Sequence, residues 1–318
     1  MTLALYLNLG YALQQQGAWD EAITYYQRAR DLDPASTEAE VMWANALYAQ
    51  SRLPAADLER YATLNFSLGH RRQQANDIPS ALDYYRQAVA MQPDWADAHY
   101  QLGATLQRSE PVAWDEVIPC FQKALALAPD SAVIRASLAN ARFAQGQLSP
   151  EERELYAGVN HDLATQHQQQ GNWDMAAEYY RQATRLRPDW AEAHYNLGLA
   201  LQKAHPGCPE AASIAYQTAQ ALDPNLAKAD ISLANLQFGQ GTLPPEQLAV
   251  YANQNHELGH QCRQAGELQL AIDHYRQAIA MNPQFVAARD SLRLALHAQS
   301  NVQIKVSVAK EPVLHPSS

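Results

Sequence analysis

Two histidines near the end of the chain stand at the spacing of a zinc-binding pair. Residues 256–260 read His-Glu-Leu-Gly-His, which fits the pattern H-E-x-x-H. On a helix, residues four apart lie on one face, so both imidazoles could bind Zn²⁺ while Glu257 activates a bound water molecule. Metal-dependent hydrolysis is the chemistry that this segment could perform. The elements that would position the two histidines decide between that chemistry and a packing role.

The charge balance of the chain disfavours several classes of partner. The 318 residues include 23 Lys and Arg against 33 Asp and Glu, a formal net charge of -10, without a basic block. Nucleic acid and anionic membrane are therefore not expected as partners. Three widely spaced cysteines, Cys120, Cys208 and Cys262, predict neither a disulfide framework nor a structural zinc site. A reducing, cytoplasmic location fits this cysteine usage best.

A long internal repeat dominates the sequence. Residues 79–107 and 174–202 have nearly the same sequence and are 95 positions apart, and a third copy begins at Leu270. Within this unit lies a shorter register of 34 positions. It has Leu-Gly or Leu-Ala at positions 7 and 8, Ala at 20 and 27, an aromatic residue at 24 and Pro at 32. The small residues let two antiparallel helices approach closely, and the proline ends the second helix.

This register resembles the tetratricopeptide repeat (TPR), and the resemblance covers residues 3 to about 300. It implies an all-α fold, a right-handed TPR-type superhelical solenoid of antiparallel helix pairs. Three short repeats of 25 residues interrupt the predicted solenoid. The same resemblance places Leu258 and Gly259 of the H-E-x-x-H segment at packing positions 7 and 8.

The predicted domain organisation is a TPR solenoid over residues 1–300, followed by a tail or linker over 301–318. The full repeats are 3–36, 62–95, 96–131, 157–190, 191–226 and 252–285. The short repeats are 37–61, 132–156 and 227–251, and a capping helix covers 286–300. We expect each short repeat to run straight into the next first helix, which predicts long helices near 54–74, 149–170 and 244–264. Within the tail, residues 302–308 alternate apolar and polar like a strand.

The resemblance also implies a binding face, because in TPR proteins the first helix of each repeat lines the concave side. Positions 5, 6 and 9 are rich in aromatic rings, imidazoles and carboxamides, and glutamines occupy positions 12 and 13. The predicted partner-binding residues are Asn8, Asn45, Phe66, His70, Tyr100, Asn140, His161, Tyr195, Asn196, Asn235, His256 and His260. A carboxamide both donates and accepts, so these asparagines could hold the backbone of an extended peptide. Alternatively, the asparagines bond to a neighbouring helix and the position-5 rings are half-buried packing residues.

The leading functional prediction is a non-catalytic scaffold that binds a peptide or protein segment, with no cofactor and no metal. The alternative is a substrate-binding portion of a larger enzyme, such as a glycosyltransferase or methyltransferase. The sequence contains no phosphate-binding loop, G-x-S-x-G elbow or dinucleotide fingerprint.

A zinc protease is a remote alternative. The two segments equivalent to 256–260 in the earlier copies lack the pair of histidines. The extended motif would need glycine where Arg263 stands and histidine where Gly266 stands. Only Asp273 and His274 on the next helix remain as further donors.

Overall fold

The computed structural model of the protein describes residues 2–309, with side chains placed for residues 2–300. Within this range the chain forms 16 α-helices and two short 3-10 helices, and it contains no strand. It divides into two compact units, with the division between Val159 and Asn160. The all-α repeat architecture predicted from the sequence is confirmed.

The helices of the first unit follow the predicted repeats. They are α1 Leu3–Gln15, α2 Trp19–Leu32, α3 Thr37–Ala49, α4 Leu58–Gln74, α5 Ile78–Met91, α6 Ala96–Leu106, α7 Trp114–Leu127 and α8 Ala132–Ala144. The next helix, α9 Pro150–Gln169, crosses the division between the units. Each full repeat therefore supplies two consecutive helices, as the 34-residue register predicts.

The second unit repeats the same order of elements. Its helices are α10 Trp173–Leu186, α11 Ala191–Ala204, α12 Pro209–Leu222, α13 Ala227–Gly239, α14 Leu248–Gln264, α15 Leu268–Met281 and α16 Val286–Ala309. Helix α16 begins where the capping helix was predicted and continues past residue 300. The alternating segment 302–308 thus has a helical backbone, whereas residues 310–318 of the predicted tail lie outside the described residues.

The two helices of a full repeat approach each other through a glycine that faces a buried aromatic ring. A Cβ built on Gly69 of α4 would lie 2.8 Å from a ring carbon of Tyr85 on α5. The same close approach recurs between Gly10 and Tyr26, Gly103 and Phe121, Gly198 and Tyr216, and Gly259 and Tyr275. In the repeat that starts at residue 157, Ala164 takes the glycine position. Large rings thus pack directly against small residues between the paired helices.

Four buried tyrosines bond through their hydroxyl groups to glutamines of the facing helix. Tyr85 donates to Oε1 of Gln73 at 3.2 Å, and Tyr26 donates to Oε1 of Gln14 at 3.0 Å. Equivalent bonds join Tyr180 to Gln168 and Tyr216 to Gln202. A buried hydroxyl needs such a partner, because an unpaired one costs free energy. The position-12 glutamines, which the sequence places in the binding face, therefore have a structural role as well.

The predicted fusion of each short repeat with the next first helix is confirmed at α9, which is continuous over 20 residues. Its start carries a capping box, in which the Glu152 amide donates to Ser149 Oγ and the Ser149 amide donates to the Glu152 carboxylate. The other two short repeats have a proline, Pro54 or Pro244, in place of that serine. There a 3-10 turn, Ala55–Asp57 or Pro245–Gln247, precedes the α-helix. Two of the three predicted long helices are therefore shorter as α-helices than expected.

The substitution Gly69→Ala tests the close approach of the paired helices. We expect it to lower the free energy of unfolding by about 1 to 2 kcal/mol, because the added methyl group overlaps the Tyr85 ring. Urea-induced unfolding of the full chain, followed by circular dichroism, measures the change. Gly158→Ala in α9 is the matched control, since a Cβ there meets no atom within 4 Å. It should raise stability by about 0.5 to 1 kcal/mol through helix propensity. Equal effects of the two substitutions would contradict the packing argument.

Candidate functional site

A cleft of about 560 Å³ opens in the first unit among α1, α3 and α5, and we call it the N cleft. Its walls carry mainly carboxamide and aromatic side chains. The carboxamides are Asn8, Gln14, Gln15, Asn45 and Gln87, and the aromatic rings are Tyr11, Trp19 and Tyr84. Of these, Tyr11 is 46% exposed, so its ring is available to a bound molecule. Glu38, Asp83 and Arg86 are the charged residues of the lining.

A second cleft, of about 460 Å³, opens in the second unit among α11, α13 and α15, and we call it the C cleft. These three helices are the repeat equivalents of α1, α3 and α5. Gln202, Asn235 and Gln277 of the C cleft correspond in the repeat register to Gln14, Asn45 and Gln87 of the N cleft. The chain therefore forms the same kind of cleft twice, once in each unit.

One of the three helices that line each cleft is not a predicted one. The resemblance implied that the first helix of every repeat contributes to one face, yet the described lining residues of the N cleft come from α5 and not from α4. The same holds for α15 and α14 in the C cleft. The reason is the fusion at the short repeats. The end of the short repeat and the first helix of the next repeat form one helix, so the turn between them is absent. The first helix of that repeat therefore lies where a second helix would lie, and its second helix lies beside the cleft.

Four of the twelve predicted site residues line the clefts. Asn8 and Asn45 line the N cleft, and Tyr195 and Asn235 line the C cleft. Neither cleft includes the other predicted residues in its lining, which are Phe66 and His70 on α4, Tyr100 on α6, Asn140 on α8, His161 on α9, Asn196 on α11, and His256 and His260 on α14. His70 is exposed and accepts a hydrogen bond from Gln74 on the same helix.

The position-5 rings are packing residues in three of the full repeats. Phe66 lies 4.5 Å from Trp95, measured between ring centroids, and His161 stacks on Trp190 at the same distance. His256 lies 4.9 Å from Phe285. Burial lowers the pKa of His161 and of His256, which favours the neutral rings that such packing needs. The partners Trp95, Trp190 and Phe285 recur at the long period of 95 residues. This recurrence of aromatic residues could have predicted the contact from the sequence.

Other predicted residues are also engaged within their own unit. Tyr100 packs on Phe121 at 5.8 Å between ring centroids. Asn196 donates to Nε2 of His161 at 3.1 Å, when that nitrogen is the acceptor. Tyr195 is almost fully buried beneath the ammonium group of Lys228, which lies 4.7 Å from the ring centroid. Asn8 is exposed, so its amide is accessible to a partner.

Two asparagines of the short repeats form reciprocal amide pairs with a neighbouring helix. Asn45 Nδ2 donates to Asn65 Oδ1 at 2.9 Å, and Asn65 Nδ2 donates back to Asn45 Oδ1 at 2.8 Å. Asn235 and Asn255 exchange the same two bonds. Asn65 and Asn255 are fully buried. This geometry favours the alternative interpretation, in which these amides join helices.

The buried half of each pair was not among the residues predicted from the sequence. Asn65 and Asn255, together with the buried Asn160, recur at the long period of 95 residues and were therefore detectable in the sequence. Asn140 lies half-buried at the equivalent place on α8.

The H-E-x-x-H histidines contact hydroxyl groups of the helices packed against them. His256 Nε2 lies 3.1 Å from Ser291 Oγ, and His260 Nδ1 lies 3.3 Å from the Tyr275 hydroxyl. The two further donors are engaged elsewhere, because Asp273 pairs with Lys203 and His274 bonds to Asn255. Burial lowers the pKa of His274 to about 4. Among residues with described side chains, no group of three or more His, Cys, Asp or Glu could hold a metal ion.

Helix pairs that recur along the chain and pack through a glycine and an aromatic ring define a helical-repeat protein. Three segments match family models: residues 4–36 and 66–108 match models described as "Tetratricopeptide repeat", and residues 167–204 match one described as "TPR repeat". The chain therefore contains tetratricopeptide repeats. None of the helices in the described part of the chain is long and apolar enough to cross a membrane.

Curated relatives include the Protein O-mannosyl-transferase TMTC3 of Mus musculus, 29% identical over 171 residues, and that of Homo sapiens, 28% identical over 168 residues. Each match covers 53% of this chain and only 17% of the relative. Similar solved structures include the APC/C hetero-tetramer Cut9-Hcn1, with 16% identity and a TM-score of 0.31, covering 87% of this chain and 52% of that one. Another is YrrB, a TPR protein with an unusual peptide-binding site, with 18% identity and a TM-score of 0.27, covering 83% and 100%.

A double-mutant cycle on Asn45 and Asn65 tests the amide pair. We expect each single substitution by Ala to lower the free energy of unfolding by about 1 to 3 kcal/mol, because the remaining amide is left unpaired. The double variant should cost less than the sum of the two, with a coupling of about 0.5 to 3 kcal/mol measured by urea unfolding. Asn8→Ala, which removes an exposed amide from the same cleft, should change stability by less than about 0.5 kcal/mol. Additive single effects would show that the pair is not coupled.

Proposed function

We propose that this chain is a non-catalytic scaffold that binds an extended segment of a partner protein in its N and C clefts. The observation that carries the proposal is the recurrence of the cleft. Carboxamide side chains stand at equivalent positions of both clefts, on helices brought together in the same way in each unit. A repeated, open and amide-rich cleft supports binding of a polymer such as a polypeptide.

The chemistry of the N cleft supports recognition of a peptide backbone. Gln15 and Asn8 are exposed and Gln87 is half-buried, so their amides can donate to carbonyl groups and accept from N–H groups of an extended chain. Tyr11 offers apolar surface to a side chain of the partner. By contrast, the amides of Asn45 and Asn65 serve each other, so we assign Asn45 a supporting role.

The size and charge of the molecule agree with a protein partner. A volume of about 560 Å³ is in the usual range for ligand clefts and is large enough for a few side chains. The net charge of -10 supports a protein partner over nucleic acid. The cytoplasmic location predicted from cysteine usage stays a prediction.

Selection of peptides from a displayed random library tests the proposal. We expect peptides that bind the full chain and lose about tenfold in affinity on Tyr11→Ala or Gln87→Ala, because both side chains line the N cleft. Peptides that bind the C cleft should instead respond to Gln277→Ala. Leu155→Ala is the control, since this leucine is 62% exposed and lies in neither lining. Selected peptides that bind all three cleft variants as tightly as the native chain would refute binding in the clefts.

A second candidate is the substrate-binding portion of a larger enzyme. The similarity of 53% of this chain to Protein O-mannosyl-transferase TMTC3 favours it, although the match covers only 17% of that protein. In that case the native polypeptide is far larger than the 35.3 kDa of this chain. An immunoblot of native cells with an antibody to α11–α16 measures its size. A band near 35 kDa alone would leave the separate scaffold as the better proposal.

A further inference from the structure

The N and C clefts differ in the charged side chains at equivalent positions. In the C cleft, the Lys203 ammonium group of α11 contacts the Asp273 carboxylate of α15, so one ion pair joins two of the three lining helices. Both side chains are about two-thirds buried. The repeat equivalents in the N cleft are Gln15 and Asp83. The N cleft therefore keeps the carboxylate and lacks the lysine.

Asp83 has no ion-pair partner among the residues with described side chains. Arg86, one helical turn further along α5, is the nearest positive charge that acts on it, but its guanidinium bonds to Glu116 at 2.9 Å. Partial desolvation raises the pKa of Asp83, and Asp77 adds to that effect. The Asp83 side chain is exposed, so a cation from solution can reach it. A positive charge placed beside it would stabilise the ionised carboxylate.

The balance of charge in the lining points the same way. The N cleft carries Glu38 and Asp83 against Arg86, whereas the C cleft carries Lys203 and Arg276 against Asp273. Glu38 is partly neutralised by Arg72, which lies 2.6 Å away, and it accepts a bond from the Tyr84 hydroxyl at 3.3 Å. Asp83 is thus the carboxylate of the N cleft that remains available to a partner.

Resting on the proposed function, we infer that the N cleft recognises the ammonium group of a lysine side chain in the bound segment. That group takes the place beside Asp83 that Lys203 occupies beside Asp273 in the C cleft. The lysine of the partner completes an ion pair that the chain makes for itself in the second unit. Gln15 lines the same cleft, and its carbonyl oxygen can accept a further bond from the ammonium group. The exposed Tyr11 ring adds a surface that attracts cations.

The test uses the full chain and peptides selected from the random library, each synthesised with its lysine free, acetylated or replaced by arginine. We expect lysine to be enriched in peptides that depend on Tyr11 and Gln87. Acetylation should weaken these peptides by about tenfold, because it removes the charge. Raising the salt concentration should weaken the free-lysine peptide more than the acetylated one. Replacement by arginine should lower affinity, since its planar group does not match the position of a compact ammonium.

Two substitutions in the chain should abolish the preference for lysine. Gln15→Lys supplies the internal ammonium group found in the C cleft, and Asp83→Asn removes the carboxylate. Each should bring free-lysine and acetylated peptides to similar affinities, and Gln15→Lys should have no further effect on the preference in the Asp83→Asn background. Gln16→Lys is the control, because it adds the same charge at an exposed position outside the lining and should keep the preference.

The outcomes separate this inference from the proposed function. Peptides that depend on Tyr11 and Gln87 but show no preference for lysine would overturn the inference and leave the cleft as a peptide site. A preference that survives Gln15→Lys or Asp83→Asn would also overturn it. Peptides whose affinity does not change on substitution of Tyr11, Gln87 or Gln277 would overturn both the inference and the proposed function.

Discussion

The close approach of two helices, allowed by a glycine against a buried aromatic ring, is the contact on which the rest of the structure depends. It fixes the distance between the helices of five full repeats, and in three of these the tyrosine hydroxyl also bonds to a glutamine of the facing helix. The helices that line the N and C clefts belong to pairs packed in this way. Side chains at equivalent repeat positions therefore line both clefts.

The short repeats determine which helix faces each cleft. At these places the chain enters the next repeat without a full turn, so α5 and α15 take the positions that α4 and α14 would hold in an uninterrupted array. The pairs Asn45–Asn65 and Asn235–Asn255 join the helices on the two sides of this irregularity. A buried amide pair with all its bonds made specifies one arrangement of the helices more strictly than apolar contacts do.

The sequence predicted the helix pairs and the three fusions, because period, proline positions and small residues are local signals. It did not predict that α5 and α15 line the clefts in place of α4 and α14. That arrangement depends on the direction of the helices that follow each fusion. An asparagine such as Asn45 can bond to a partner or to a neighbouring helix, and only the position of Asn65 decides between them. The start of α9 differs from those of α4 and α14 in its capping box, whose residues Ser149 and Glu152 were present in the sequence.

The connection between paired helices has a consequence for protein engineering. In the repeat that contains α6 and α7, the connection from residue 107 to 113 is longer than the connection from 75 to 77, yet Gly103 still meets Phe121 as Gly69 meets Tyr85. Extra residues in the connection thus leave the contact between the helices in register. A fluorescent label or a short reporter sequence is best introduced there, where the chain already accommodates additional length and no cleft residue is displaced.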